Sequence, residues 1–420
     1  MGRHLSQRSS GTLPVLPFPL AIGALVLTYW CVDIVWPALP EARRDLELSR
    51  TGYGFISAAF FGGRLLANLP AAFLVDRRGA RPTAVLGGLL LLGGSVLAGI
   101  AAGQSSLLPA RALQGFGIAF LVSAGLLSVL RARSSGGAAM TAFNLAAGVG
   151  GGFGLVTGGV LTTLLSWRGV FWLAAILGGV LASGAILSRP SPAKDRSETS
   201  PGSRPDDAAD TTAVDAAVDP GEFLDPAGGA SIRWPALAGP LLANLLVFIN
   251  YSVFIVAMPL YAADRFDASA GQISALLLAT STVHLAGAVP GGRAIRRWGG
   301  RRSLGAGYAA AAAGMLLVLL APGRWWLVLP LALYALGEVT ANSAAGDLLV
   351  RLGGRGGRSV GMVRLTSDIG LVVGPAAMGA LADVAGVEAP FIALAALSAV
   401  AAFVARPIGV RAAAGPSPVR

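Results

Sequence analysis

Twelve apolar runs, each close to the length of a membrane crossing, alternate along the chain with short polar stretches. Crossing a hydrocarbon core of about 30 Å takes roughly 20 mostly apolar residues in a helix. On that scale the runs fall at about 18–39, 52–74, 83–103, 106–130, 138–164 and 169–188, then at 236–262, 270–292, 303–321, 325–350, 359–381 and 389–405. Inside a bilayer an unpaired backbone amide has no water to turn to, so each run is predicted to be a helix. The expected fold is an all-α membrane protein with twelve transmembrane helices in two pseudo-symmetric six-helix halves, 18–188 and 235–406, with tails at 1–17 and 407–420. The stretch 189–234 is rich in Pro, Ser, Asp and Ala and poor in large apolar residues. It cannot bury enough surface to fold alone and is expected to be a disordered linker between the halves.

The polar stretches carry an internal repeat. Leu74-Val-Asp-Arg-Arg-Gly-Ala-Arg-Pro82, after the second run, has a cousin in Ala294-Ile-Arg-Arg-Trp-Gly-Gly-Arg-Arg302, after the eighth. Arg77 lies over Arg297, Gly79 over Gly299 and Arg81 over Arg301, all at an offset of 220 residues, while Asp76 lies over Arg296. At the same offset Gly150-x-x-x-Gly154-Leu155-x-x-Gly158-Gly159 in the fifth run matches Gly370-x-x-x-Gly374-Pro375-x-x-Met378-Gly379 in the eleventh, and Gly136-Gly137 matches Gly356-Gly357. Six helices per repeat give both halves the same orientation, related by an axis along the membrane normal.

Composition agrees and orients the molecule. Hydrophobic residues make up 54% and charged residues 13%, against roughly 25% charged in soluble domains. The net charge of +11 would suit nucleic acid, but the arginines sit between apolar runs, where they set orientation instead. With both termini and the linker cytoplasmic, 23 Lys and Arg residues fall on that face and 6 on the other, leaving Arg64, Arg111 and Arg364 within the runs. The plasma membrane is the expected location. The single cysteine, Cys31, allows no internal disulfide. The first run is too long for a signal-peptide core and is read as a retained helix.

At this point the chain resembles the major facilitator superfamily of secondary transporters, over nearly its whole length apart from linker and tails. Leu74 to Arg81 resembles the family's loop between helices 2 and 3, with Ala72 where that pattern usually has Gly. Arg111-x-x-Gln114-Gly115 resembles a pattern of proton-coupled members. The fifth-run glycines followed by Trp167-Arg168-x-x-Phe171 resemble the antiporter signature, with Leu155 in place of its Pro. Asp33-x-x-x-Pro37-Ala38-Leu39-Pro40 resembles the drug-efflux branch. The resemblance implies transport of a small molecule by alternating access, driven by a proton gradient and with no cofactor.

Ionisable groups at membrane depth are costly to place, so each is a candidate for function. Asp33 and Arg111 lie about six and five residues from the outer ends of their helices, roughly 8–9 Å deep at 1.5 Å per residue, and are expected to pair. Arg64 lies some 10 Å deeper. Asp33 is read as the proton-binding acid, with Arg111 as the partner whose distance changes during transport, so that proton and substrate exclude one another; a permanent structural pair is the alternative. Glu338 is read as a second acid or an anchor for a cationic substrate. Arg364 and Asp368, spaced i,i+4, are expected to neutralise each other. His284 is read as a packing or cavity-lining residue, with proton shuttling as the alternative. Asn144, Asn250 and Tyr251, with Tyr29 and Trp30, suit an apolar or amphipathic ligand held by a few polar anchors.

The stretch at Asp76 has a mechanical reading. An acid at a helix carboxyl end is disfavoured by the dipole, so Asp76 is expected to seek the amino end of the eleventh helix, assisted by Arg77, Arg81 or Arg131. That contact would latch the halves on the cytoplasmic side, and Arg296 rules it out in the second copy. Gly150, Gly154, Gly158, Gly370 and Gly374 are expected to allow close helix packing, with Pro375 bending its helix. No phosphate loop, paired His/Cys ligands or nucleophile elbow is present in the sequence, so neither an enzyme nor a metal site is expected. The expected function is proton-coupled export of small organic compounds by a monomer in the lipid bilayer. An uptake symporter for a sugar or carboxylate, and a receptor or scaffold that no longer transports, are the rival readings.

Overall fold

The computed structural model describes residues 16–132, 136–188, 234–353 and 357–405, and the regular structure in them is helical. α1 (Phe18–Asp33) and α2 (Leu39–Asp45) share the first crossing, joined through a 3-10 turn at Trp36–Ala38. α3 (Arg50–Arg78), α4 (Ala80–Gly99), α5 (Gln104–Ala132), α6 (Gly136–Leu164) and α7 (Trp167–Leu187) complete the first half. In the second half α8 (Trp234–Asn250) and α9 (Met258–Phe266) share a crossing through a π-helical turn at Val253–Ala257. α10 (Ala270–Trp298), α11 (Gly300–Val318), α12 (Val328–Gly353), α13 (Gly357–Ala385) and α14 (Ala389–Val404) follow.

These pieces form the expected twelve helices. Among the described residues ten are long and apolar enough to cross a membrane. The other two are α11, whose Gly300-Arg-Arg start and alanine-rich body lower its hydropathy, and α14, with 16 residues. Most of the expected linker and both tails lie outside the described residues.

The breaks in α1–α2 and α8–α9 have a backbone cause. Pro37 has no N–H to give to the helix ladder, so regular α-helix stops at Asp33 and resumes at Leu39. Pro259, at the start of α9, does the same after the π turn. The stretch at Asp76 differs from the expected turn. α3 runs on through Asp76, Arg77 and Arg78, α4 begins at Ala80, and Gly79 alone separates them at φ 86° and ψ 178°. Gly299 makes the same single-residue joint between α10 and α11 at φ 79°. Only glycine adopts such dihedrals cheaply.

Within each half the packing is duplicated: α4 packs on α5 and α7, and α11 on α12 and α14. Small residues let backbones approach. A Cβ on Gly150, Gly154 or Gly158 of α6 would strike the backbone of α1 at Val26, Trp30 or Ile34. Gly370 and Gly374 of α13 lie as closely on Leu245 and Ile249 of α8. Two long seams join the halves, α3 on α13 and α6 on α10.

Candidate substrate and proton cavity

The break after Asp33 decides what its carboxylate meets. Trp36, one turn on, donates its indole Nε1–H to Asp33 Oδ1 at 2.8 Å. The other carboxylate oxygen faces Gly151 of α6, where a Cβ would collide with it. The expected Asp33–Arg111 ion pair is not formed, because Trp36 stands between them. Arg111, 1% exposed, places its guanidinium 4.6 Å from the centre of the Phe60 ring and 5.5 Å from that of Trp36. Its Nη1 donates to Gln114 Oε1 at 2.6 Å, and Gln114 donates to Ser95 at 2.8 Å. Arg111 and Gln114 therefore tie α5 to α4, with ring faces as the cation's other neighbours.

Deeper in, Arg64 of α3 reaches across to α13 and pairs with Asp368 at 2.5 Å, and Asn68 donates to the second oxygen of the same carboxylate. Asp368 is buried and Arg64 is one-quarter exposed. This replaces the expected Arg364–Asp368 pair. The i,i+4 spacing does place both on one helix, but the carboxylate is taken by groups from the facing helix. Arg364 is exposed and forms no ion pair among the described residues.

A pairing absent from the sequence reading lies within the second half. His284 Nδ1 of α10 is 2.8 Å from Glu338 Oε2 of α12. Depth counting could have found it, since each residue lies about fourteen positions from the start of its crossing, at Ala270 and Arg324 respectively. His284 is also the 220-residue counterpart of Arg64. The charges of Arg64, Arg364 and Asp33 act on Tyr29, and those of Asp33, Glu338 and Arg64 on Tyr251, so the two phenols complete one central constellation. Asn250 lies outside it: its amide donates to Ser398 of α14 at 2.9 Å, a bond between helices. Asn144 is exposed. Trp30 donates to Thr157 and stacks on Phe153.

The two ends of the molecule are held differently. At the arginine-poor end Arg43 and Arg50 both pair with Asp264, Arg44 with Asp267 at 3.5 Å, and Thr51 donates to Asp383 at 2.8 Å. All four contacts join one half to the other. Beneath them Gly54 abuts Pro375 and Gly379 on one seam, while Ser274 donates to the Leu155 carbonyl and abuts Gly159 on the other. These two contacts are copies of each other at the 220-residue offset. The arginine-poor end is shut.

At the other end the expected latch is not engaged. Asp76 is exposed and forms no ion pair among the described residues. Arg77 lies 3.9 Å from the centre of the Phe73 ring. Arg81 donates from Nε to the Ala185 carbonyl at 3.1 Å and from Nη2 to that of Ile186, so it caps the carboxyl end of α7. A cation there meets the negative end of the helix dipole. Arg301 does the same for α14, donating to the Ala405 carbonyl at 2.5 Å. Arg131 stands in the last turn of α5.

A twelve-helix duplicated bundle with charged groups at its centre has known counterparts. The sequence profile of the Major Facilitator Superfamily matches residues 21–233 and again 241–420. The chain belongs to that superfamily. Relatives include the puromycin resistance protein pur8 of Streptomyces alboniger, 35% identical over 160 residues, which is 37% of this chain and 31% of the relative. The cephamycin export protein CmcT of Amycolatopsis lactamdurans is 32% identical over 166 residues, 38% of this chain and 33% of its own length. The chain thus matches about a third of the length of these curated relatives. Among solved structures, the nucleoside transporter NupG matches at a TM-score of 0.73 with 12% identity, covering 92% of this chain and 98% of that one. A bacterial homologue of the human lysosomal transporter Spinster matches at 0.73 with 15% identity, covering 92% and 96%. At such identities these structures attest the fold.

This superfamily member is a multi-pass membrane protein of a transporter family, in line with the absence of enzyme motifs from its sequence. The groups that sequence reasoning missed are those at the arginine-poor end. Arg43, Arg44 and Arg50 count in the sequence only towards the charge of their face, and Asp264, Asp267 and Asp383 are not among its candidates. Their shared position at the helix ends of the arginine-poor face is the available signal.

Proposed function

We propose that the protein is a proton-driven exporter of small apolar or amphipathic organic molecules, with the arginine-rich end, both termini and the linker in the cytoplasm. The observation that carries this reading is the unequal pairing of the three central carboxylates. Asp368 is held by Arg64 and Asn68, and Glu338 by His284, whereas Asp33 meets only a neutral indole N–H. Asp33 is the acid left free to exchange a proton. The half-buried Tyr29 and Trp30 on the same helix, with Phe143 and Phe153 against them, offer apolar surface near that one exchangeable charge.

Coupling follows from the seams. Arg64–Asp368 spans the two halves, so it breaks whenever α3 and α13 part. Opening the outer end also requires release of Asp264 from Arg43 and Arg50. In the state described here the outer end is closed, and substrate arrives from the arginine-rich side. Rocking of the halves then exposes Asp33 to the other side, where a proton replaces the substrate. The relatives named for puromycin resistance and cephamycin export support the export direction and the organic substrate class. Function as a monomer, without a cofactor, belongs to the same reading.

Everted membrane vesicles test it. With an imposed proton gradient they should accumulate puromycin or an apolar cationic dye, and Asp33→Asn should abolish that accumulation at equal protein level. Accumulation unchanged in Asp33→Asn would remove Asp33 from the mechanism. Gradient-driven movement of sugars or carboxylates in the opposite direction would favour an uptake symporter instead.

A further inference from the structure

α11 and α14 pack side by side, away from the two seams between the halves. Between their arginine-rich ends lies a groove of about 550 Å³. Arg301 and Arg302 stand at its mouth, and Gly305, Ala306, Ala309 and Ala402 wall it. Arg302 is exposed. Arg301 uses Nε on the Ala405 carbonyl, but its Nη2 is buried with no partner among the described residues. A buried donor left unmade is costly, and a ligand acceptor in the groove would complete it.

The first half shows the alternative. At the 220-residue offset Pro82 stands for Arg302, Val85 for Gly305, Leu86 for Ala306 and Leu89 for Ala309. There Arg81 gives both Nε and Nη2 to the carbonyls at the end of α7. The second cation and the small wall residues belong to the second half alone.

We propose that this groove binds one anionic phospholipid, its phosphate on Arg301 and Arg302 and an acyl chain along Gly305, Ala306 and Ala309. Basic pockets between spanning helices at a cytoplasmic face recruit anionic headgroups in this way. The choice of the cytoplasmic leaflet rests on the orientation proposed above; the site itself does not. A zwitterionic lipid offers the same phosphate with its charge offset, and is the weaker ligand. Free phosphate shares the anion but leaves the apolar wall bare.

The test uses the full-length protein in nanodiscs of phosphatidylcholine with a minority of phosphatidylglycerol, followed by release and native mass spectrometry of retained lipid. The wild type should retain phosphatidylglycerol in preference to phosphatidylcholine. Arg302→Gln should lower that preference about five-fold, the factor one interfacial arginine contributes. Ala306→Leu with Ala309→Leu, which installs the first half's residues, should remove the retained lipid while leaving the melting temperature in place. If that double variant misfolds, Ala306→Leu alone and Arg302→Gln carry the test. Equal retention of both lipids by the wild type, or a preference unchanged in the variants, overturns the proposal. So does complete displacement of the lipid by millimolar inorganic phosphate, which would mark a free-anion site. Lipid counting needs no transport, so failure of the export reading would leave these outcomes readable.

Discussion

Two seams join the halves, and they differ in chemistry while sharing a backbone frame. On α3 and α13, Gly54 meets Pro375 and Gly379; on α10 and α6, Ser274 meets Leu155 and Gly159. Both sets of positions are related by the 220-residue offset, so the duplication preserved the close approach. The charges did not follow. Arg64 crosses its seam to Asp368, whereas its counterpart His284 turns back to Glu338 in its own half, and the position equivalent to Asp368 is Gly148. One seam is bonded across the halves by an ion pair at mid-depth, and the other is held by small residues and one hydroxyl. In the cycle proposed above, the duplicated frame would let both halves rock, and the unequal charges would load that motion on one side.

This contrast can be broken most forcefully at Arg64. Arg64→Ala leaves Asp368 buried without its cation, a loss of about 3–5 kcal/mol for a buried pair. It should lower the thermal unfolding temperature markedly, and Asp368→Asn in the same chain should restore most of it. His284→Gln, which leaves the first seam intact, should cost less. Equal losses for the two, or no rescue, would show that the seams are not chemically distinct. A smaller effect is expected from bulk at the contact beneath the arginine-poor end. Gly54→Leu places a side chain against the backbone of Pro375 and Gly379, an overpacking cost of about 1–3 kcal/mol. It should shift the protein towards a state open at the arginine-poor end, read as increased labelling of a cysteine introduced at Thr51. Gly159→Leu should shift it the same way, because Ser274 occupies the matching place.

Much of the fold was legible because a bilayer imposes one length scale and a duplication imposes one offset. Glycines at 79 and 299, and arginines at 81 and 301, occupy equivalent structural places as the offset requires. The candidate charges were legible as costly residues at depth. Their partners were not, because depth says nothing about which helix faces which. Asp33 and Arg111 share a level, yet Trp36 fills the space between them once Pro37 unwinds the chain. Arg364 and Asp368 share a helix face, yet Arg64 comes closer from α3. Asp76 shows a third limit. A latch of the expected kind would form in one conformation only, and with the arginine-poor end shut Asp76 is unpaired among the described residues.

The central claim is that Asp33 carries the proton that substrate displaces. It is tested most directly by adding puromycin to the purified, protonated protein in lightly buffered detergent solution and recording the pH. The account predicts proton release that saturates with ligand in the wild type and is absent from Asp33→Asn, with binding retained. Saturable binding to the wild type without proton release, or undiminished release from Asp33→Asn, would contradict it.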